Sequence, residues 1–317
     1  MMKLLVTRRM TQAAEHALSA RFETEILDRK DGLGVDEAAK ALADYDAIMP
    51  TLGDRFTAEA FQGQPRCRLL ANFGAGYNHI DVAAAAAAGI AVTNTPDAVT
   101  EATADIALTL ILMTARRAGE GERLLRRGEW TGWEPTQLLG RHVTGCTVGI
   151  IGMGRIGKAI ARRCHFGFGM EVLFHNRSVV SSLDFPARQV ADLDELLVQS
   201  DFAIIAVPGG AETRHMIGAH ELERLGPRSY LINIARGDVV EEAALAEALA
   251  QGRIAGAGLD VYEFEPRVSP ALCAMENVTL LPHLGTAAEE VRTAMAMRAM
   301  NNLVAFAEGQ ALPDRVN

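Results

Sequence analysis

Short apolar runs alternate with helix-patterned stretches along most of this chain. Apolar runs over residues 3–6, 25–27, 47–49, 68–71 and 90–93 predict five strands, and helical spacing over 12–21, 36–43, 57–61 and 82–88 predicts helices between them. Strands and helices that alternate through short connections form a mostly parallel sheet with both faces covered. The alanine run from Ala83 to Ala88 belongs to this scheme as a tightly packed helix, since alanine is the best helix former and Gly89 supplies a C-terminal stop.

A long apolar helix is expected over 101–118, followed by a charged and irregular stretch over 120–145 that carries Trp130 and Trp133 beside several arginines. Such an excursion is a poor independent unit and reads as an arm that embraces a second subunit or as an exposed loop. A second alternating series follows, with strands over 148–151, 171–175, 202–207, 230–235, 256–260 and 278–281, and helices over 155–166 and 241–251. Six strands with crossover helices match a doubly wound dinucleotide domain. The tail over 287–308 is helical and, coming after the sixth strand, can return to the first domain. The predicted organisation is therefore α/β throughout, with a discontinuous domain of 1–99 and 287–317 around a Rossmann domain of 100–286.

Composition narrows the function classes. A net charge of −9 argues against non-specific nucleic-acid binding, which needs a basic surface. No stretch approaches the ~20 apolar residues of a membrane span, and the N-terminal apolar run is too short for a signal peptide, so the cytoplasm is the expected location. Cys67, Cys146, Cys164 and Cys273 are widely scattered without metal or redox spacing, which predicts buried free thiols and no metal site.

Gly152-Met153-Gly154-Arg155-Ile156-Gly157 follows an apolar run and opens a helix, the setting in which a glycine fingerprint cradles a pyrophosphate. Methyltransferase folds also carry a glycine-rich first turn. The NAD pattern places an acid about twenty residues onward to bind the ribose 2′-hydroxyl. Here the second strand runs instead into His175-Asn176-Arg177-Ser178. A guanidinium pairs with a 2′-phosphate that a carboxylate would repel, so NADP is the expected cofactor, with NAD possible.

Arg236, Glu265 and His283 each stand just beyond a predicted strand of the same sheet. Ligands of open α/β sheets bind outside the carboxyl ends of the strands. A guanidinium can clamp a carboxylate in two parallel hydrogen bonds and polarise a neighbouring ketone. Imidazole is suited to donate a proton near neutral pH, and Glu265 can fix its tautomer through the far nitrogen. With the fingerprint, the trio predicts a redox enzyme.

The segments Asn233-Ile234-Ala235-Arg236-Gly237, Gly258-Leu259-Asp260-Val261-Tyr262-Glu263-Phe264-Glu265-Pro266 and Leu281-Pro282-His283-Leu284-Gly285-Thr286 resemble signatures of the D-2-hydroxyacid dehydrogenase family. Gly74-Ala75-Gly76-Tyr77-Asn78-His79-Ile80-Asp81 looks like its substrate-carboxylate loop, and residues 95–105 look like its entry to the inter-domain helix. Essentially the whole chain is covered. The cofactor segment 175–178 is most similar to the NADPH-dependent glyoxylate/hydroxypyruvate reductases of that family.

The resemblance implies a flavodoxin-like substrate domain beside the Rossmann domain, and closure of the two over the substrate. It implies that Arg236 binds the substrate carboxylate and carbonyl oxygen, that His283 is the proton donor in reduction, and that Glu265 pairs with it. Backbone N–H groups of Ala75 and Gly76, with help near Leu52 and Gly53, would hold the carboxylate. Arg155 and Ile156 would sit at the pyrophosphate, with Asn176, Arg177 and Ser178 at the ribose end. Val207, Pro208 and Thr213 would border the adenosine half, and Ile234, Ala235, Asp260 and Gly285 the nicotinamide. A homodimer joined through 120–145 is implied, with Trp130 or Trp133 reaching toward the partner's site. Two alternatives stay open: another D-2-hydroxy acid, such as phosphoglycerate or lactate, or a cofactor-sensing corepressor of the same fold. Formate dehydrogenases of this fold carry Gln at the place of Glu265, which argues against that activity.

Overall fold

The computed structural model describes residues 1–317. Its elements, in order, are β1 (Lys3–Val6), α1 (Gln12–Arg21), β2 (Glu23–Ile26), α2 (Val35–Asp44), β3 (Ala47–Met49), β4 (Leu69–Ala71), α3 (Val82–Ala87), β5 (Ala91–Thr93), α4 (Thr100–Ala115) and α5 (Ala118–Arg126). There follow β6 (Thr147–Ile151), α6 (Arg155–Phe168), β7 (Glu171–His175), β8 (Arg188–Gln189), α7 (Leu193–Gln199), β9 (Phe202–Ile205), α8 (Ala219–Leu225), β10 (Tyr230–Asn233), α9 (Glu242–Ala250), β11 (Gly256–Leu259), α10 (Pro270–Cys273), β12 (Val278–Leu280) and α11 (Glu289–Ala307). No helix is long and apolar enough to cross a membrane.

Two compact units result, Met1–Val99 with Thr286–Asn317, and Thr100–Gly285. The second boundary falls one residue before the expected 286/287 break. In the first unit five parallel strands lie in the order β2-β1-β3-β4-β5. One face buries Leu5, Ile48 and Leu70 with Leu42 and Phe56, and the other buries Leu4, Met49 and Leu69 with Ala299 and Leu303 of α11. The C-terminal helix thus supplies a layer that the first 99 residues lack. The edge strand β2 pairs Lys3 with Glu23, two residues earlier than expected, because register follows the ladder to β1 and not the apolar pair Ile26-Leu27.

The second unit is a seven-stranded parallel sheet in the order β12-β11-β10-β9-β6-β7-β8. Counted from the fingerprint strand β6, the order is that of a doubly wound dinucleotide domain, with one strand added beyond β11. The six strands expected from the sequence omit β8, which has two residues and no apolar run. The expected strands over 202–207, 230–235 and 256–260 all end early, at Ile205, Asn233 and Leu259. After β10 the cause is local: Asn233 accepts the Ala235 N–H at 3.0 Å and donates to the Arg236 carbonyl at 2.9 Å, turning the chain out of the sheet.

Two expectations about the arm and the thiols need correction. Helix α4 stops at Ala115 because Arg117 adopts a left-handed conformation, and α5 then occupies the start of the stretch expected to be irregular. The arm returns where the Arg141 N–H meets the Ala115 carbonyl at 2.7 Å. Cys67 and Cys164 are buried, and burial pushes both thiols up to about 12, but Cys273 is exposed and Cys146 half-buried.

Candidate active site

The fingerprint turn lies between β6 and α6, at the switch point of the second sheet, where successive strands depart to opposite sides. Gly152 has a φ of +101°, and a Cβ there would lie 2.8 Å from the Ala206 carbonyl oxygen. At Gly157 a Cβ would come within 2.1 Å of the Gly152 carbonyl oxygen, so helix and turn pack only because both residues are glycine. A Cβ at Gly154 would meet nothing, which leaves open space above the first turn of α6, where Arg155 and Ile156 begin the helix. These features fit a pyrophosphate at the helix N-terminus.

The ribose-end segment is braced from both sides. Asn176 accepts the Met153 N–H at 3.1 Å and donates to Ser178, tying the end of β7 to the fingerprint. Gln189 of β8 donates to the Ser178 carbonyl at 3.0 Å. Sequence reading missed Gln189 because nothing marks it apart from its place in a two-residue strand. The Arg177 guanidinium pairs with Glu212 at 2.9 Å, with both side chains at least 80% exposed (90% and 81%). Val207 reaches Gly152, and Thr213 donates to the Pro208 carbonyl at 2.8 Å, which closes the loop after β9.

The trio gathers at the carboxyl ends of β10, β11 and β12. His283 Nδ1 lies 3.0 Å from Glu265 Oε2, with the two side chains about one-third exposed. Glu265 Oε1 also accepts the Tyr262 N–H at 3.0 Å. Burial alone would raise the Glu265 carboxyl, but the hydrogen bond and charge of His283, the Tyr262 N–H and the Arg236 charge hold it below its ordinary value. Desolvation depresses the half-buried Arg236 guanidinium against the opposing pull of Glu265 and Asp238. The electrostatics therefore bind all three residues into one cluster.

His283 itself has a φ of +54°, unusual for a residue with a Cβ. Asp260 holds it there. The Asp260 carbonyl accepts the His283 N–H at 2.9 Å, and its buried carboxylate accepts the N–H groups of Leu284 at 2.6 Å and Gly285 at 2.8 Å. Desolvation raises the Asp260 carboxyl despite these donors. Ile234 and Ala235 are buried beneath Arg236.

The first unit offers a different kind of surface. Asn72 donates to the Gly74 and Gly76 carbonyls, and Asn94 to the Ala75 carbonyl at 2.8 Å. The N–H groups of Ala75 and Gly76 have no partner within the chain, which suits them to an anion. Leu52 is exposed and Gly53 has a φ of +99°.

Elsewhere, ligand atoms of Asp194, His220 and Glu221 fall within 4.8 Å of one another. His220 there already pairs with Asp194, and Glu221 caps its own helix through the Gly218 N–H, so ordinary ion pairing accounts for the group.

Residues 108–285 match the sequence model of the D-isomer specific 2-hydroxyacid dehydrogenase NAD binding domain. The chain belongs to this family. It is 43% identical, over 99% of its length and 96% of the relative's, to a glyoxylate reductase of Thermococcus gammatolerans, and 42% identical over 99% and 95% to one of Pyrococcus furiosus. Among solved structures it is similar to the NADPH-dependent glyoxylate/hydroxypyruvate reductase of Sinorhizobium meliloti in complex with NADP and malonate, with a TM-score of 0.88, 38% identity and coverage of 99% and 96% of the two chains. A glyoxylate reductase of Paecilomyes thermophila gives 0.88, with 35% identity and coverage of 99% and 98%.

Proposed function

We propose that this member of the family reduces glyoxylate to glycolate and hydroxypyruvate to the corresponding D-2-hydroxy acid, with NADPH as the preferred reductant and NADH as a weaker one. The observation that carries the reading is the His283–Glu265 pair at 3.0 Å beside Arg236 on the edge of a fingerprinted sheet. The names of the relatives support the substrate, and Arg177 in place of a ribose-binding acid supports the cofactor.

When bound, the reduced nicotinamide supplies a hydride to the 2-keto carbon. Gly152, Gly154, Arg155, Ile156 and Gly157 would hold its pyrophosphate, Asn176, Arg177 and Ser178 its adenosine ribose phosphate, and Val207, Pro208 and Thr213 the adenosine. Ile234, Ala235, Asp260 and Gly285 would border the nicotinamide. Arg236 donates to the substrate carboxylate and carbonyl oxygen and stabilises the negative charge that develops there. His283 donates the proton from Nε2 while Glu265 stabilises the imidazolium through Nδ1, and solvent reprotonates the ring after turnover. The N–H groups of Ala75 and Gly76, with Leu52 and Gly53, are offered to the carboxylate. Trp130 and Trp133, 49% and 80% exposed, support a homodimer formed through the arm.

Replacing Glu265 by glutamine tests the acid. The variant removes the charge that stabilises the imidazolium, so kcat for reduction should fall by about tenfold or more while the NADPH Kd stays within about twofold. An unchanged kcat would separate Glu265 from the proton donor. The function itself is tested by steady-state turnover of both keto acids: purified protein that binds NADPH yet reduces neither would remove this reading.

A further inference from the structure

The order β2-β1-β3-β4-β5 places the switch point of the first sheet between β1 and β3, where open α/β sheets bind ligands. Arg8 follows β1, and Leu52 and Gly53 follow β3. The Arg8 guanidinium donates from Nη1 to the Leu52 carbonyl at 2.7 Å, while its Nε is buried without a hydrogen-bond partner. Nη2 lies against Gly53, where a Cβ would come within 2.9 Å of it. The hydrogen-bond partner of this cation is a neutral carbonyl and not a carboxylate.

The loop it touches is rigid. The buried Asp54 carboxylate accepts the Thr7 hydroxyl at 2.6 Å, the Thr51 N–H at 2.7 Å and the Leu33 N–H at 2.8 Å. Gly32 packs on the far side, where a Cβ would lie 2.1 Å from the Gly53 carbonyl oxygen. The N–H groups of Leu52 and Gly53 have no partner within the chain. A fixed guanidinium beside two unengaged N–H groups forms a small anion-binding corner, already organised before a ligand arrives.

We propose that Arg8 is a specificity-determining residue of the substrate site: its guanidinium, with the Leu52–Gly53 N–H groups, selects 2-keto acids through their carboxylate. The proposal rests on the reductase reading given above. In that reading Arg236 spans the carboxylate and the reacting carbonyl, whereas Arg8 touches the carboxylate alone and supplies binding that is the same in ground and transition states. Such uniform binding appears in KM and not in kcat.

The test compares wild type with Arg8→Gln and Arg8→Lys by steady-state kinetics at saturating NADPH. It also measures binding of oxamate, an unreactive 2-keto acid analogue, to the NADPH-loaded protein through nicotinamide fluorescence. Arg8→Gln is expected to raise the glyoxylate KM and the oxamate Kd about tenfold or more, with kcat within about twofold and the NADPH Kd unmoved. Arg8→Lys keeps the charge and should recover part of the loss. An unchanged oxamate Kd in Arg8→Gln overturns the proposal, and so does a fall in kcat with a weakened NADPH Kd, which marks a merely structural role. Absence of turnover in wild type counts against the reductase reading instead, and the oxamate comparison still decides Arg8.

Discussion

Replacing His283 by alanine is expected to lower glyoxylate turnover by about 10³-fold, in the middle of the range that general acid–base catalysis contributes, while the NADPH Kd stays within about twofold. The two halves of this result follow from different atoms. The loop that carries His283 is held by backbone N–H groups, those of His283, Leu284 and Gly285, donating to Asp260. Alanine keeps all three bonds, which hold the backbone at its φ of +54°, so the loop and the nearby Asp260 carboxylate should persist. What disappears is the imidazole, and with it the proton donor and the partner of Glu265. The abandoned carboxylate should return toward an ordinary Glu value, since the His283 hydrogen bond and charge are the chief influences that lower it. Turnover near the wild-type rate, with intact nucleotide binding, would remove His283 from the acid role.

The second large effect concerns cofactor choice. Arg177→Asp should reduce kcat/KM for NADPH by about 10²-fold or more, because it exchanges charge-assisted hydrogen bonds for repulsion of the 2′-phosphate. With NADH the change should stay within about threefold, since an acid after the second strand is also an acceptor for the ribose 2′-hydroxyl. The pairing of Arg177 with Glu212 does not weaken this expectation. Both side chains are almost fully exposed, and an ion pair in water contributes little, so the guanidinium is easily redirected to a phosphate. Equal losses with the two nucleotides would show that Arg177 does not contact the 2′-phosphate.

Strand–helix alternation and the fingerprint made the α/β class legible in the sequence, because period and glycine placement are local properties. The trio was legible for the same reason: Arg236, Glu265 and His283 each follow an apolar run, and strand ends in one sheet converge. What escaped notice depends on distance in the chain. The two-residue strand β8 exists through pairing with β7, and its Gln189 braces Ser178 eleven positions away. Asp260 reads in sequence as a strand-end acid, yet it holds the His283 turn through the N–H of Leu284, 24 residues downstream. Arg8 lies 44 residues from Leu52, and only the crossover between β1 and β3 makes them neighbours.

The most direct test of the account is glyoxylate reduction by the purified protein, with kcat/KM determined in parallel for NADPH and NADH. The account predicts efficient turnover with NADPH and a preference over NADH of about tenfold or more, the worth of a phosphate–guanidinium contact. Turnover with NADH equal to or better than with NADPH would contradict the cofactor assignment, and no turnover with either in protein that binds NADPH would contradict the reaction itself.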